Sequence, residues 1–476
     1  METSNSKHST IVALLLAGTF IAILNQTLMI TAIPPVMEEM NITANSAQWL
    51  TTVFMLVNGI MIPVSAFLLE RFSTRQLFIS AMSIFSLGTL VAGIAPNFEL
   101  LLLGRIIQSS GAGVMLPLMQ TVFLMIFPVH KRGAAMGLVG LVISFAPAIG
   151  PALSGWVTEH YSWRVLFFII LPIALIDILV AFISLKNVTE VTKPKIDVLS
   201  VILSSFGFGG LLYGFTSAGN YGWTDFNTLL SLGIGALTLV LFITRQLRLE
   251  HPMLEFRVFK YSIFPLAIII GMITFMGLIG METIIPLFMQ NMRDFTAFEA
   301  GLAILPGALI TGLMSPVTGR IFDKVGARWL VITGLIIITV SSFAFTNLGP
   351  STSFIFLTIM YSVRMLGLAM VMMPVSTAAL NQLPKRLLPH GAAMDNTMKM
   401  IAASVGTAIL VTVMTTTAET AAQRPDIPNP DMYGANIACM VVAGLALVSL
   451  IISWFIKDDR STETELADVR ATEQQS

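Results

Sequence analysis

The chain has 476 residues, of which 55% are hydrophobic and 11% charged. Soluble domains carry roughly 25% charge, so this chain cannot cover its own surface with polar groups and must be solvated by a bilayer. Its 26 basic residues balance 26 acidic ones, which argues against a nucleic-acid partner, and its single cysteine, Cys439, excludes an intrachain disulfide or a thiolate metal cluster.

A membrane-spanning helix needs about 20 mainly apolar residues. Fourteen stretches qualify: 10–33, 48–68, 77–95, 100–127, 134–157, 164–185, 198–217, 227–244, 263–289, 300–319, 329–347, 353–380, 392–416 and 436–456. Lipid permits only helices or closed barrels, and runs of this length exclude barrel strands. The predicted fold is therefore an all-α polytopic membrane protein with 14 transmembrane helices. The first apolar run is too long for a typical signal-peptide core and reads as a retained helix.

In chain order, the first helix carries Asn25 and Gln26, followed by Ala32-Ile33-Pro34, and the second carries Asn58. A charged loop follows, Glu70-Arg71-Phe72-Ser73-Thr74-Arg75. The fourth helix reads Arg105-Ile106-Ile107-Gln108-Ser109-Ser110-Gly111-Ala112-Gly113, with Gln120 further along. An arginine inside a span costs about 2.5–3.5 kcal/mol on insertion scales, so Arg105 either faces protein or a wet cavity, or snorkels to the interface. The fifth helix contains Ala146-Pro147-Ala148-Ile149-Gly150-Pro151-Ala152-Leu153-Ser154-Gly155, where paired prolines bend the helix and small residues allow close approach to a neighbour.

Membrane carboxylates are few: Asp177 in the sixth helix, Glu282 in the ninth and Asp395 near the start of the thirteenth. Asp395 precedes Lys399 by four residues, a spacing that suits an intrahelical ion pair. Gln290 lies near the outer end of the ninth helix. All five histidines, at 8, 130, 160, 251 and 390, fall in predicted loops or helix ends, which argues against a buried histidine relay. Asn25, Gln26, Asn58, Gln108, Gln120 and Gln290 are candidate polar groups for a mainly apolar cavity, to which 29 methionines and 31 phenylalanines could add adaptable surface.

Orientation follows from lysine and arginine in alternate loops. The two termini and the loops at 69–76, 128–133, 186–197, 245–262, 320–328 and 381–391 hold 20 of these 26 residues. The opposite loops hold three, Arg164, Arg293 and Arg424, so both termini are expected to be cytoplasmic.

An internal repeat sets the domain plan. The loop at 70–75 returns as Asp323-Lys324-Val325-Gly326-Ala327-Arg328, and Gly133-Ala134-Ala135-Met136 returns as Gly391-Ala392-Ala393-Met394. Arg105 matches Arg364, and Pro117 matches Pro374. The offsets exceed the length of one six-helix unit by about two helices. The plan is a six-helix bundle over 1–190, a two-helix insert over 191–262, a second six-helix bundle over 263–456 and a polar cytoplasmic tail over 457–476.

With these motifs the chain resembles the major facilitator superfamily, and within it the fourteen-helix drug/proton antiporters, including Gram-positive lincomycin-type and quaternary-ammonium multidrug exporters. The loops at 70–75 and 319–328 look like the superfamily's G-x-x-x-D-R-x-G-R signature, with Glu70 and Ser73 departing from it in the first copy. Physically, Glu70, Arg71, Arg75, Asp323, Lys324 and Arg328 would gate by pairing carboxylate with guanidinium across helices that rock apart. Helix 5 is similar to the antiporter signature G-P-x-x-G-P-x-x-G-G through Pro147, Gly150, Pro151 and Gly155, and the following Trp163-Arg164 is another feature of this branch. The resemblance links Arg105 to proton transfer, puts Glu282 on a cavity-lining helix and puts Asp177 on a peripheral one. It also marks a departure: this branch often has an aspartate in helix 1, where this chain has Asn25, which cannot titrate. The proton-coupling candidates are thus Glu282, Asp177, Asp395 and Arg105.

The expected activity is export of amphipathic drugs or antibiotics in exchange for protons, by alternating access in a bacterial plasma membrane. The partners are small organic substrates, protons and the bilayer, with no obligatory protein partner, no cofactor and no metal, and the proton gradient supplies the energy. A G-x-x-x-x-G-K-[ST] nucleotide loop is absent, so ATP is not the driver within this chain. A dedicated exporter of one metabolite, lipid or signalling molecule would use the same motifs. A membrane-embedded enzyme or receptor would need a nucleophile with a nearby base or a sizeable domain outside the membrane, and the loops offer neither.

Overall fold

The computed structural model describes residues 2–189, 191–192 and 194–456, without the side chains of 2–8 and Asn45. The tail over 457–476 lies outside the described residues. Among the described residues there are no strands, and fourteen helices are long and apolar enough to cross a membrane. They are α1 (Glu2–Met40), α2 (Ala44–Arg71), α3 (Thr74–Gly93), α4 (Phe98–Ile126), α5 (Arg132–His160), α6 (Arg164–Ser184), α7 (Val198–Tyr221), α8 (Phe226–Arg248), α9 (Ile263–Leu287), α10 (Ala297–Val325), α11 (Ala327–Ala344), α12 (Phe354–Asn381), α13 (Leu388–Ala422) and α14 (Pro430–Ser453).

Local chemistry sets the helix ends. Ser73 and Gln76 form a capping box at the start of α3, and Thr296 and Glu299 form one at the start of α10. Asn97, Asp197, Asp225 and Ser353 cap α4, α7, α8 and α12 by accepting backbone N–H bonds. The turns after α7 and α10 need left-handed backbone, which Gly222 (φ 91°) and Gly326 (φ 81°) supply.

Two helices outrun their apolar stretches. α1 continues past Pro34 and Pro35 to Met40, because Val36 is still buried and Glu39 bonds to the start of α6. α13 continues to Ala422, because Gly434 lets α14 pack against Met414 and Ala418.

The packing repeats as the sequence does. In the first bundle α1 lies against α4, α5 and α6, α4 against α2 and α3, and α3 against α6. Each pair recurs eight helices later: α9 with α12, α13 and α14, α12 with α10 and α11, and α11 with α14. The contacts between bundles obey the same two-fold relation, with α5 against α10 mirrored by α13 against α2, and α5 against α12 mirrored by α13 against α4. α7 covers only the α2–α13 seam, and α8 packs mainly on α7 and turns most of its apolar surface outward, as a lipid-facing helix does.

The two bundles meet most closely at the end where α1 begins and α14 finishes. A Cβ on Gly319 would fall 2.1 Å from the Gly133 carbonyl oxygen, and one on Gly137 would fall 2.5 Å from that of Ser315. The α5 and α10 backbones therefore touch there. One turn or more away the ring of Phe145 comes between them, against Gly312, while Gly155 and Gly301, nearer the far ends, have nothing within 4 Å.

Candidate functional site

Arg105 is fully buried (0% exposed), so the snorkelling alternative does not hold. Its Nη1 donates to Asn25 Oδ1 at 2.7 Å and to Gln108 Oε1 at 2.8 Å, and its Nε donates to the Leu50 carbonyl at 3.3 Å. The guanidinium lies 4.2 Å over the Phe54 ring, and Gln108 Nε2 donates onward to Thr89 at 2.7 Å. Asn25 and Gln108 are thus consumed by the arginine inside the first bundle, which corrects their reading as free cavity groups. Arginine in a dry site needs several oriented acceptors, and α1, α2 and α4 supply them. Nη2 alone has no hydrogen-bond partner among the described residues.

Arg364 occupies the equivalent place in the second bundle and is 1% exposed. Its Nε donates to Ser342 Oγ at 3.3 Å, and among the described residues neither its Nη1 nor the buried Tyr361 hydroxyl beside it has a hydrogen-bond partner. Glu282 on α9 interacts electrostatically with Arg364 and Tyr361. The Glu282 side chain is exposed. The second cage is therefore looser than the first, and an acid stands beside it.

Asp177 stands among the buried residues of α6. It is 6% exposed, packs against α1 at Gly18, and its Oδ2 has no hydrogen-bond partner among the described residues. Asp395 and Lys399 form a buried ion pair at 2.7 Å, and Lys399 also donates to Ser376 on α12. On the same helix Asn396 Nδ2 donates across the bundles to Gln120 Oε1 at 2.6 Å, while Gln120 Nε2 has no hydrogen-bond partner among the described residues. Gln26 and Asn58 are half-buried and Gln290 is exposed in the wide turn after α9.

The repeated charged loops make different bonds from the expected carboxylate–guanidinium pairs. Asp323 accepts the backbone N–H groups of Gly133 and Ala134 at 2.7 and 2.8 Å, so it caps α5 from the opposite bundle and meets the positive end of that helix. Glu70 faces His390 at the start of α13, again across the bundles, at 3.0 Å. Arg71 donates to the Pro194 carbonyl at 2.6 Å, Arg75 donates to the Phe182 carbonyl, and Arg328 lies against Trp329. Lys324 sits in the last turn of α10. The guanidiniums thus anchor loops and helix ends, while the carboxylates reach the other bundle.

Sequence reasoning missed His390 and Arg132. They occupy matching positions, one residue before each copy of Gly-Ala-Ala-Met, and each reaches the other bundle: His390 to Glu70, and Arg132 to Asn381 Oδ1 at 3.0 Å. Extending the repeat by one residue would have found both. His390 is at a helix start, as expected of the histidines, but it is buried.

In α5, Gly150 is a point of close approach, since a Cβ there would fall 2.1 Å from Thr27 Oγ1 on α1. Ser154 donates to the Leu28 carbonyl at 2.7 Å. Gly155 has open space, which corrects its reading as a packing glycine. Pro147 is exposed and Pro151 half-buried. The Trp163-Arg164 pair has a structural account: Trp163 Nε1 donates to Glu39 Oε2 at 2.7 Å, and Arg164 binds Glu39 Oε1 at 2.5 Å and the Ala95 carbonyl at 2.8 Å. These bonds tie α1, α3 and α6 together at the far end of the first bundle.

Two pseudo-symmetric bundles, buried arginines in both and charged clasps at one end define a transporter, not an enzyme. The chain belongs to the Major Facilitator Superfamily, which it matches over residues 15–407. It is 56% identical over 457 residues to the protein named Uncharacterized MFS-type transporter YcnB of Bacillus subtilis, covering 96% of this chain and 97% of that one. It is 43% identical over 455 residues to Lincomycin resistance protein LmrB of the same organism, covering 94% and 95%. In fold it is similar to the human organic anion transporter MFSD10, with a TM-score of 0.67, 13% identity, and 94% of this chain and 99% of that one covered.

Proposed function

We propose that the chain exports amphipathic organic compounds in exchange for protons, by alternating access, across a bacterial plasma membrane with both termini cytoplasmic. The observation that carries this reading is Glu282: an exposed acid beside the incompletely bonded Arg364, on a helix that spans the second bundle. Such a carboxylate can take a proton from one side and release it to the other as the bundles rock. Tight contact at the basic end and separation toward the other end suit a state open to the outside. The lysine and arginine bias of the basic-end loops favours the cytoplasm for that end. The name of the LmrB relative, a lincomycin resistance protein, supports an antibiotic-like substrate class.

A susceptibility panel of chemically diverse amphipathic compounds, run in an efflux-deficient host with and without the chain, tests the substrate reading. Raised tolerance to several unrelated compounds is expected. Tolerance to none, or to one compound only, would favour a dedicated exporter.

A further inference from the structure

We propose that the first bundle carries a binding site for the headgroup of an anionic phospholipid, in a surface cleft of about 690 Å³ between the basic ends of α3 and α6. Arg75 and Lys186 line the cleft, with Ser73, Gln76 and Ser80 as hydroxyl and amide groups, and no acid lines it among the described residues. Arg75 is held in place. One of its terminal nitrogens donates to the Phe182 carbonyl in the last turn of α6, and its guanidinium lies 4.9 Å over the Phe182 ring. That leaves donors of a fixed, planar cation directed at the cleft. The N-terminal turn of α3 adds the positive end of a helix dipole.

The surroundings point to a lipid and not to a free anion. The cleft is lined by Ile79 and Phe182 as well as by the cations. Next to it Phe182 and Ile183 are 61% and 77% exposed, which in this fold is surface for acyl chains. A phosphate at Arg75 and Lys186 would thus leave its chains lying on α6, at the depth where polar and apolar surfaces meet. A headgroup of net negative charge fits two cations with no acid, whereas a zwitterion brings its own ammonium against them. Each basic residue near an anionic surface contributes about 1 kcal/mol, or about fivefold in affinity.

The test is native mass spectrometry of the purified full chain released from nanodiscs of phosphatidylglycerol mixed with phosphatidylcholine. One retained phosphatidylglycerol per chain is expected. In titrations with phosphatidylglycerol, the chain's affinity should fall about fivefold in Arg75→Gln or Lys186→Gln and about 25-fold in the double variant. Ser80→Trp, which fills the cleft and keeps both charges, should also lose the lipid, and thermal unfolding of each variant shows that the fold persists. Equal retention of the two lipids, or phosphatidylglycerol retention unchanged in the double variant and in Ser80→Trp, would overturn the proposal. Displacement of the lipid by millimolar inorganic phosphate or glycerol 3-phosphate would overturn it as well, by assigning the cleft to a soluble anion.

Discussion

Glu70 Oε1 lies 3.0 Å from His390 Nε2, joining the end of α2 in one bundle to the start of α13 in the other. The Glu255 backbone N–H approaches the other ring nitrogen, Nδ1, at 3.3 Å, so Nδ1 accepts and Nε2 carries the proton that is shared with Glu70. The clasp therefore has three parts, because Glu255 belongs to the segment leaving the two-helix insert. Its symmetry mate is Asp323 on the N–H groups of Gly133 and Ala134. One seam is closed by a side-chain pair and the other by a carboxylate capping a helix.

These clasps should be unequal. Hydrogen bonds to a charged group contribute about 1.5–3 kcal/mol, and Asp323 makes two of them with backbone that cannot rearrange. Asp323→Asn should shift the closed state at this end by about tenfold and reduce export accordingly, with protein abundance little changed. His390→Ala should have a smaller effect of the same sign. Spin labels on cysteines placed at the exposed Lys131 and Lys385 report the separation directly, since the native Cys439 is buried and does not compete for label. An unchanged distance distribution in Asp323→Asn would show that its contacts do not hold the bundles together.

The two glycines of the α5 signature should separate cleanly on substitution. Gly150→Leu drives a side chain into Thr27 on α1. Overpacking of that kind costs about 1–3 kcal/mol or splays the helices, so export should fall well below wild type while the protein still inserts. Gly155→Leu meets open space and should transport normally. Parallel assays at matched abundance decide the matter: equal activity of the two variants would remove the packing role of the motif.

The repeat, the fourteen helices and the identity of the buried charges were legible because each rests on a local or periodic pattern: apolar length, base-rich loops, a recurring tetrapeptide. What the charges touch was not legible. Nothing in the order of residues says that Arg105 meets Asn25, 80 positions earlier, or that Asp323 finds backbone N–H groups instead of a guanidinium. Such pairings depend on which helix faces present themselves to each other, and a helix packs on several neighbours at once. Gly155 failed for a related reason. Its spacing from Gly150 suits a packing stripe, but five residues turn a helix by about 140° further than one full turn, so the two glycines face different neighbours.

The two-helix insert offers a pH test outside the membrane spans. Asp197 caps α7 and also accepts Arg245 Nε and Nη2 at 2.8 and 3.1 Å, so it ties the start of α7 to the end of α8. The hydrogen bonds from Arg245 hold the Asp197 carboxyl below the usual carboxylate range. A lowered folded-state pKa stabilises the fold above the ordinary carboxylate value, and this contribution is lost as pH falls through the lowered one. Unfolding temperature measured against pH should therefore drop more steeply below about pH 4 in wild type than in Asp197→Asn. Asparagine still caps the helix, so the variant should be less stable than wild type at neutral pH only by the pairing with Arg245, about 0.2–1 kcal/mol for a part-exposed pair. Parallel curves would mean that the pair contributes nothing to stability.

For the proposed proton coupling, Glu282 and Asp177 are the candidate carboxylates without a basic partner within hydrogen-bond distance among the described residues, unlike Asp395 on Lys399, and their settings differ in a way that an experiment can read. Glu282 is exposed and stands beside Arg364, whereas Asp177 is 6% exposed and packed against α1, with Oδ2 lacking a hydrogen-bond partner among the described residues. A coupling group must meet water from alternate sides within one cycle, which the exposed Glu282 does with less repacking than the buried Asp177 needs. Glu282→Gln should therefore abolish uptake driven by an imposed pH gradient in proteoliposomes, while leaving exchange of substrate on one side for labelled substrate on the other. Asp177→Asn should retain gradient-driven uptake to within about twofold, because an amide fills the same volume and its cost is mainly that of one buried polar group. The pH dependence of substrate binding gives a second readout, since loss of a competing proton site flattens it. Gradient-driven uptake and an unaltered pH profile in Glu282→Gln, with both lost in Asp177→Asn, would reverse the assignment and move the coupling site from α9 in the second bundle to α6 in the first.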